Sequence, residues 1–290
     1  MTRSAPRPAG RAVLALDTST DVCALALLCI RDPETSDGGA PILTLAEVTV
    51  KAGRSHTRML LSLADQLLSA TGLGVSDIEA VVVGTGPGTF TGVRMGVAAG
   101  RALALSRNIP VVGVSTLAAL AADAASAVDS VAHEGIDCLV PVVDARRGQL
   151  FAGVYRRISG DHDPSRGPWV REQAYSAVEP EALVRSMEPG SLERALLVGD
   201  PDLVGDMPLP VYPRLVAAGS LLRGQGLLEE PDLRLGGSRL LPWLRGRWAE
   251  ESDTPIDPGA PGSPEAVRPL YVRSPDADVH ITRMRDPWAR

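Results

Sequence analysis

The sequence predicts an α/β protein of two related lobes, and three observations carry that prediction. Hydrophobic residues make up 44% of the 290 residues while aromatics make up only 3%, so Ala, Val, Leu and Gly must fill the core, as in a sheet covered by closely packed helices. Apolar runs of strand length alternate with stretches of helical period. One motif, an apolar strand ending in aspartate, a polar turn and a second strand, occurs at residues 13–30 and again at residues 139–156.

Taken in order, residues 13–16 form a strand that ends in Asp17-Thr18-Ser19-Thr20, and residues 22–30 and 43–50 continue it as a meander. The Asp/Pro/Gly-rich stretch 31–41 joins the last two as a long surface loop. Leu60, Leu63, Ala64, Leu67 and Leu68 recur at helical spacing and predict a helix over 56–70, capped by Ser55 and closed by Gly72. Residues 80–83 are a fully apolar strand running into the glycine loop Gly84-Thr85-Gly86-Pro87-Gly88-Thr89-Phe90-Thr91-Gly92, after which residues 93–105 read as a second helix. Gly92, Gly96, Gly100 and Ala104 leave one face of that helix without side chains. Each interior glycine costs a helix about 1 kcal/mol relative to alanine, so this face must pack closely, on the chain's own sheet or on a partner helix.

A strand over 111–115 and an alanine-rich helix over 116–128 lead to the second copy of the motif, a strand over 139–148 and another over 149–156. Strand-like 170–178, a short helix near 180–187 and a strand over 195–198 ending in Gly199-Asp200 follow. Residues 250–265 are rich in Pro, Gly, Ser and Asp without hydrophobic period and are expected to be a disordered or loosely held insertion. The domain division is therefore a disordered N-terminus 1–11, a first lobe 12–112, a second lobe 113–249, the insertion 250–265 and a C-terminal tail 266–290.

Composition excludes several classes. A net charge of −6 with dispersed arginines gives a field that repels polyanions, which argues against unaided nucleic-acid binding. Cys23, Cys29 and Cys138 form no CxxC pair and fit a reducing cytoplasm. Residues 1–10 lack an apolar stretch and the run 13–30 is interrupted by Asp17 and Asp21, so neither a signal peptide nor a membrane span is expected.

The two aspartate turns, Asp17-Thr18-Ser19 and Asp144-Ala145-Arg146-Arg147-Gly148, have the form that an actin-like cleft uses to hold phosphates through a metal and backbone amides. The same residues also make ordinary side-chain-to-backbone turns between strands. The loop from Gly84 to Gly92 stands at a helix N-terminus, where amides and dipole favour an anion, yet it lacks the lysine of a Walker loop and the spacing of a dinucleotide fold. A tight strand-to-helix turn explains it equally. His56 opens a helix; His133, His162 and His280 are isolated, so no spacing assembles a metal site, and no GxSxG elbow marks a serine nucleophile. The closing Pro269-Leu270-Tyr271-Val272-Arg273 suits a segment that seals the fold.

Together, Leu14-Ala15-Leu16-Asp17-Thr18-Ser19, Ser55-His56-Thr57-Arg58-Met59-Leu60-Leu61, the loop Gly84–Gly92, Val111-Val112-Gly113-Val114-Ser115-Thr116-Leu117, the Asp144 turn and Pro269–Arg273 resemble the TsaB (YeaZ) family, in the family's motif order from about residue 12 to 273. The resemblance implies a duplicated actin/hexokinase/Hsp70-like, ribonuclease H-like fold. It implies a role in making N6-threonylcarbamoyladenosine next to the tRNA anticodon, as the accessory partner of a catalytic paralogue, TsaD, with a TsaE-type ATPase in the complex and tRNA met only through it. Where the paralogue has two metal-binding histidines, this sequence has Thr116 and Leu120, and leucine cannot ligate a metal. The resemblance thus implies no catalysis, metal or cofactor in this chain. It places the partner interface on the helices over 56–70 and 91–105, with His56, Met59, Leu60, Leu63, Leu67, Val93 and Val97 as the expected exposed contributors. The family motif residues are Asp17, Thr18, Ser19, Gly84, Gly86, Pro87, Gly88, Thr91, Gly92, Asp144, Arg146, Arg147 and Gly148. A homodimer in isolation and an independent ATP-dependent phosphotransferase are the competing readings.

Overall fold

The computed structural model describes residues 10–31, 42–51, 56–131, 135–158, 169–187, 189–204, 207, 209–214, 216–223, 228–229 and 260–272. Ser55, His133, His162 and His280 lie outside them, as do residues 1–9, 32–41, 250–259 and 273–290, so the expectations placed there stand outside the described structure.

The first sheet opens as the meander that the sequence predicts. β1 (Arg11–Asp17), β2 (Val22–Ile30) and β3 (Ile42–Lys51) pair antiparallel, with Asp17 opposite Ala24 and Ile30 opposite Ile42. α1 (His56–Thr71) returns the chain to β4 (Ile78–Gly84), parallel to β1, and α2 (Phe90–Arg107) returns it to β5 (Val111–Val114), parallel to β4. The strand order is β3-β2-β1-β4-β5.

α3 (Thr116–Val131) crosses to the second sheet, where the same plan recurs. β6 (Cys138–Arg146) pairs antiparallel with β7 (Gln149–Ala152) and β8 (Tyr155–Arg157) and parallel with β11 (Ala195–Gly199), which pairs parallel with β12 (Val211–Pro213). Two departures from the sequence reading appear here. The single strand expected over 149–156 is broken at Gly153-Val154, where the Gly153 amide donates to Pro141 O at 3.1 Å. The stretch 170–178 is likewise split into β9 (Trp169–Arg171), which pairs with β8, and β10 (Ser176–Val178), which pairs with β7. α4 (Pro180–Ser186), α5 (Pro201–Val204), α6 (Ser220–Arg223) and β13 (Leu228–Glu229) complete the α-helices and strands among the described residues.

Strand alternation sorts the core into layers. Leu14, Leu16, Leu25, Val81 and Val83 face α1 and α2, whereas Val13, Ala15, Ala24, Val82 and Val112 face Ala119 of α3 and Leu221 of α6. The other side of α3 packs on Leu139, Val143, Phe151 and Val198 of the second sheet. A helix pressed between two sheets needs short side chains all round, which explains why Ala121, Ala122, Ala124 and Ala125 are all buried. β5 lies wholly in the first sheet, so residue 112 falls within a strand of that sheet, and α3 packs against both sheets. Among the described residues no helix is long and apolar enough to cross a membrane.

Residues 260–265 are not loosely held. Gly262 O accepts the Val111 amide at 2.9 Å, Ser263 and Pro264 are buried, and Val267 joins the core beneath α1 and α2. The chain then runs along the glycine loop, the Leu270 amide donating to Thr85 O at 2.8 Å, so the segment 260–272 closes the β5 edge.

Candidate functional site: two aspartate turns and the cleft between the sheets

Each copy of the strand motif ends in the same local turn. Asp17 Oδ1 accepts the Ser19 amide at 2.7 Å, and Asp144 Oδ1 accepts the Arg146 amide at 2.7 Å. Beyond that shared bond the two carboxylates differ. Asp17 is 1% exposed. Its Oδ1 also accepts the Ser19 hydroxyl at 2.6 Å, its Oδ2 accepts the Thr116 hydroxyl at 2.7 Å, and the two hydroxyls stand 2.9 Å apart. Burial pushes the Asp17 carboxyl above the ordinary carboxylate range, and the bonds from Ser19 and Thr116 oppose that shift. Asp144 is 40% exposed and pairs with the Arg146 guanidinium at 2.8 Å. Arg147 and Gly148, both at positive φ (58° and 75°), make the tight β6–β7 hairpin turn.

The glycine loop closes over the Asp17 turn. Thr89 caps α2, its hydroxyl accepting the Gly92 amide at 3.2 Å, so the helix begins at Phe90 and takes in Thr91 and Gly92. The Thr89 amide donates to Ser19 O at 2.6 Å, and the Thr18 hydroxyl donates to Gly92 O at 2.7 Å. Loop and turn touch so closely that a Cβ on Gly84 would stand 1.9 Å from Asp17 Oδ2, one on Gly88 2.1 Å from Ser19 O and one on Gly92 2.0 Å from Thr18 O. The Gly86–Pro87 peptide is cis, and the Thr116 amide donates to Gly86 O at 2.8 Å. The bare face of α2 continues the contact: Gly96 lies over Thr18 and Gly100 over Val83. Of the two alternatives for that face, the chain's own sheet is what occupies it.

Between the sheets lies a cleft of about 440 Å³ lined by Thr20, Asp21, Lys51, Asp144, Asp200 and Asp202 among others. Lys51, at the end of β3, reaches across it to Asp200 at 3.0 Å and Asp202 at 2.7 Å, and both carboxylates hold its ammonium well above the usual lysine range. No local spacing marks Lys51, Asp200 and Asp202 as a cluster, since only the packing of the two sheets brings residues about 150 positions apart together.

The residues expected to be exposed for a partner are mostly not. Leu60, Leu63, Leu67, Val93 and Val97 are buried in the core of the first sheet, and Met59 packs partly buried against it. An amphipathic helix beside a sheet turns its richest apolar stripe to that sheet, which corrects the expectation of exposure. His56 begins α1, and its side chain lies outside the described residues. What α1 and α2 turn outward includes Leu61, Phe90, Arg94 and Leu105.

The Asp17 network has a measurable pH signature. A carboxyl whose folded-state pKa exceeds its unfolded-state value makes stability fall as pH rises from the ordinary carboxylate range to the folded value, with no further change above it. Asp17→Asn keeps an acceptor for Ser19 and removes the titration. In urea unfolding across pH 4 to 8 (about this span suffices) the midpoint of Asp17→Asn relative to wild type is therefore expected to improve with pH. A difference independent of pH would show that Asp17 is not held protonated.

Comparison with known proteins agrees with this architecture. The family model for TsaD, described as tRNA N6-adenosine threonylcarbamoyltransferase, matches residues 48–180. The tRNA threonylcarbamoyladenosine biosynthesis protein TsaB of Escherichia coli K12 is 31% identical over 176 residues, covering 61% of this chain and 66% of the relative. TsaB of Haemophilus influenzae is 34% identical over 139 residues, covering 48% and 51%. The chain thus spans between about half and just under two thirds of the length of these curated relatives. The solved structure of YeaZ from Pseudomonas aeruginosa superposes with a TM-score of 0.58 at 25% identity, covering 90% of this chain and 99% of that one. With its motif order, its two sheets of like topology and these matches, the chain belongs to the TsaB/YeaZ family.

Proposed function

We propose that this chain is a non-catalytic scaffold subunit that pairs with a TsaD-type catalytic paralogue, in a complex with a TsaE-type ATPase, for N6-threonylcarbamoyladenosine modification of tRNA at position 37. The observation that carries this reading is the filled Asp17 turn. Where a nucleotide-binding relative needs open amides and an available carboxylate, Asp17 spends its oxygens on Ser19 and Thr116, and Gly84, Gly88 and Gly92 leave less than a methyl group of space. Thr116 and Leu120, at the places where the resemblance puts the paralogue's metal-binding histidines, are buried, Thr116 as part of that hydroxyl network. Pairing uses the outer faces of α1 and α2, where Leu61 is 76% and Leu105 61% exposed.

Reconstituted transfer of threonylcarbamoyl to tRNA, with the paralogue, its ATPase and the adenylate-forming enzyme, tests this directly. Activity is expected only when this chain is added, and the chain alone is expected to leave both ATP and tRNA unchanged. Undiminished activity without it would sink the scaffold reading. The open Asp144 beside the cleft is the one feature that favours an independent phosphotransferase; ATP turnover by the pure chain, lost in Asp144→Ala, would establish that alternative.

A further inference from the structure

The outward face of α2 is more specific than an apolar contact requires. At about 100° per residue, Phe90, Arg94, Ala98, Arg101 and Leu105 fall in one stripe about 80° wide, away from the Gly92, Gly96, Gly100 and Ala104 face seated on the sheet. The helix has three arginines and no acidic residue, in a chain whose net charge is −6. Arg94 is already held in position. Its Nε donates to the Tyr271 hydroxyl at 2.7 Å, and its guanidinium carbon lies 3.7 Å from the centre of the Phe90 ring and 5.8 Å from that of Tyr271. The two rings are 5.5 Å apart, and both are partly open to solvent. Lys51, Arg156 and Arg214 each meet a carboxylate, whereas neither Arg94 nor Arg101 meets one among the described residues. A guanidinium fixed by a ring and a hydroxyl loses little further freedom when its remaining Nη edge binds a carboxylate.

We propose that the Phe90–Arg94–Tyr271 cluster and Arg101 are the charge-reading part of the docking surface on α2, and that its occupant is an acidic, apolar helix face of the catalytic partner. Carboxylates of that face meet Arg94 and Arg101, and aliphatic side chains cover Phe90 and Leu105. This rests on the pairing read above and adds the chemistry of the partner surface. It also assigns a task to the C-terminal segment, since Tyr271 is the residue that steadies Arg94. A second copy of this chain is the poorer occupant, because an isologous contact built on α2 sets the arginine stripe against itself.

The test is the association rate of the full chain with the purified catalytic paralogue at about 0.05 M and about 0.5 M salt. Wild type, Arg94→Ala/Arg101→Ala and Arg94→Lys/Arg101→Lys are compared, with thermal unfolding to show that each variant is folded. The wild-type rate is expected to fall roughly tenfold or more at the higher salt. The alanine variant should bind at least about tenfold more weakly with little salt dependence, and the lysine variant should recover the salt dependence but only part of the affinity. Equal affinity and equal salt dependence in wild type and alanine variant would overturn the charge reading and leave the pairing intact. Failure of the wild type to bind overturns the pairing and this surface with it. Dimerisation of the chain alone, abolished by the alanine pair, would assign the surface to a second copy and overturn the proposed occupant.

Discussion

Val97→Asp, and likewise Leu63→Asp, is expected to unfold the first sheet rather than to release a partner from a folded chain. Val97 is 3% exposed and belongs to the cluster of Leu14, Leu16, Val81 and Val83. Replacing it removes about 1.5–3 kcal/mol of apolar burial and strands a carboxylate with no cation in the cluster, which costs several kcal/mol more or forces the group to stay protonated. The sum, about 4 kcal/mol or above, is a large fraction of the roughly 5–15 kcal/mol that holds a domain together. Circular dichroism should show the cooperative melt lost or moved down by more than about 10 °C. Leu61→Asp is the informative contrast: its side chain is 76% exposed, so stability should change by no more than about 0.5 kcal/mol and any loss of pairing can be read as an interface effect. A Val97→Asp protein that melts like wild type would mean that α2 is not seated on the sheet as described.

Gly92→Ala is expected to destabilise the fold, because the added methyl group has no room between α2 and the Asp17 turn. The new Cβ would stand 2.0 Å from Thr18 O and 2.6 Å from the Thr89 hydroxyl. The first of these is backbone and cannot rotate away. To make room α2 must lift, which opens the Thr18–Gly92 and Thr89–Ser19 hydrogen bonds that tie loop to turn. Alanine's better helix propensity returns about 1 kcal/mol, but overpacking of about 1–3 kcal/mol and two strained buried hydrogen bonds of about 1 kcal/mol each outweigh it. A net loss of about 2–4 kcal/mol in urea unfolding is expected. Gly190→Ala, where nothing lies within 4 Å, is the control and should be close to neutral. Wild-type stability in Gly92→Ala would contradict the close approach of helix and turn.

The α2 face shows where local pattern stops being informative. Glycines every fourth residue announce a close contact but not its partner, because a missing side chain fits a sheet and a second helix equally well. The sheet occupies it here because β1 ends beneath the helix and delivers Thr18 to Gly92 and Gly96. The same holds for α1, where the spacing of Leu60, Leu63 and Leu67 marks an apolar stripe but exposure depends on what lies below it. The Asp144 turn was legible as a turn from its residues alone, and so was the Asp17 turn. That one carboxylate is sealed and the other open follows from α3, which brings Thr116 to Asp17 across 99 residues.

The first-sheet meander, the helices α1 to α3, the repeated strand-and-aspartate motif and the family motifs are legible in the residues alone, because strand and helix periods and strand-ending aspartates are properties of neighbouring residues. The breaks in the strands over 149–156 and 170–178, the packing of residues 260–265 on β5, the reach of Lys51 across the cleft and the Arg94–Tyr271 bond come from the folded chain. Each of these joins groups far apart in the chain, and whether such groups meet is set by how layers stack and edges close, which no local period encodes.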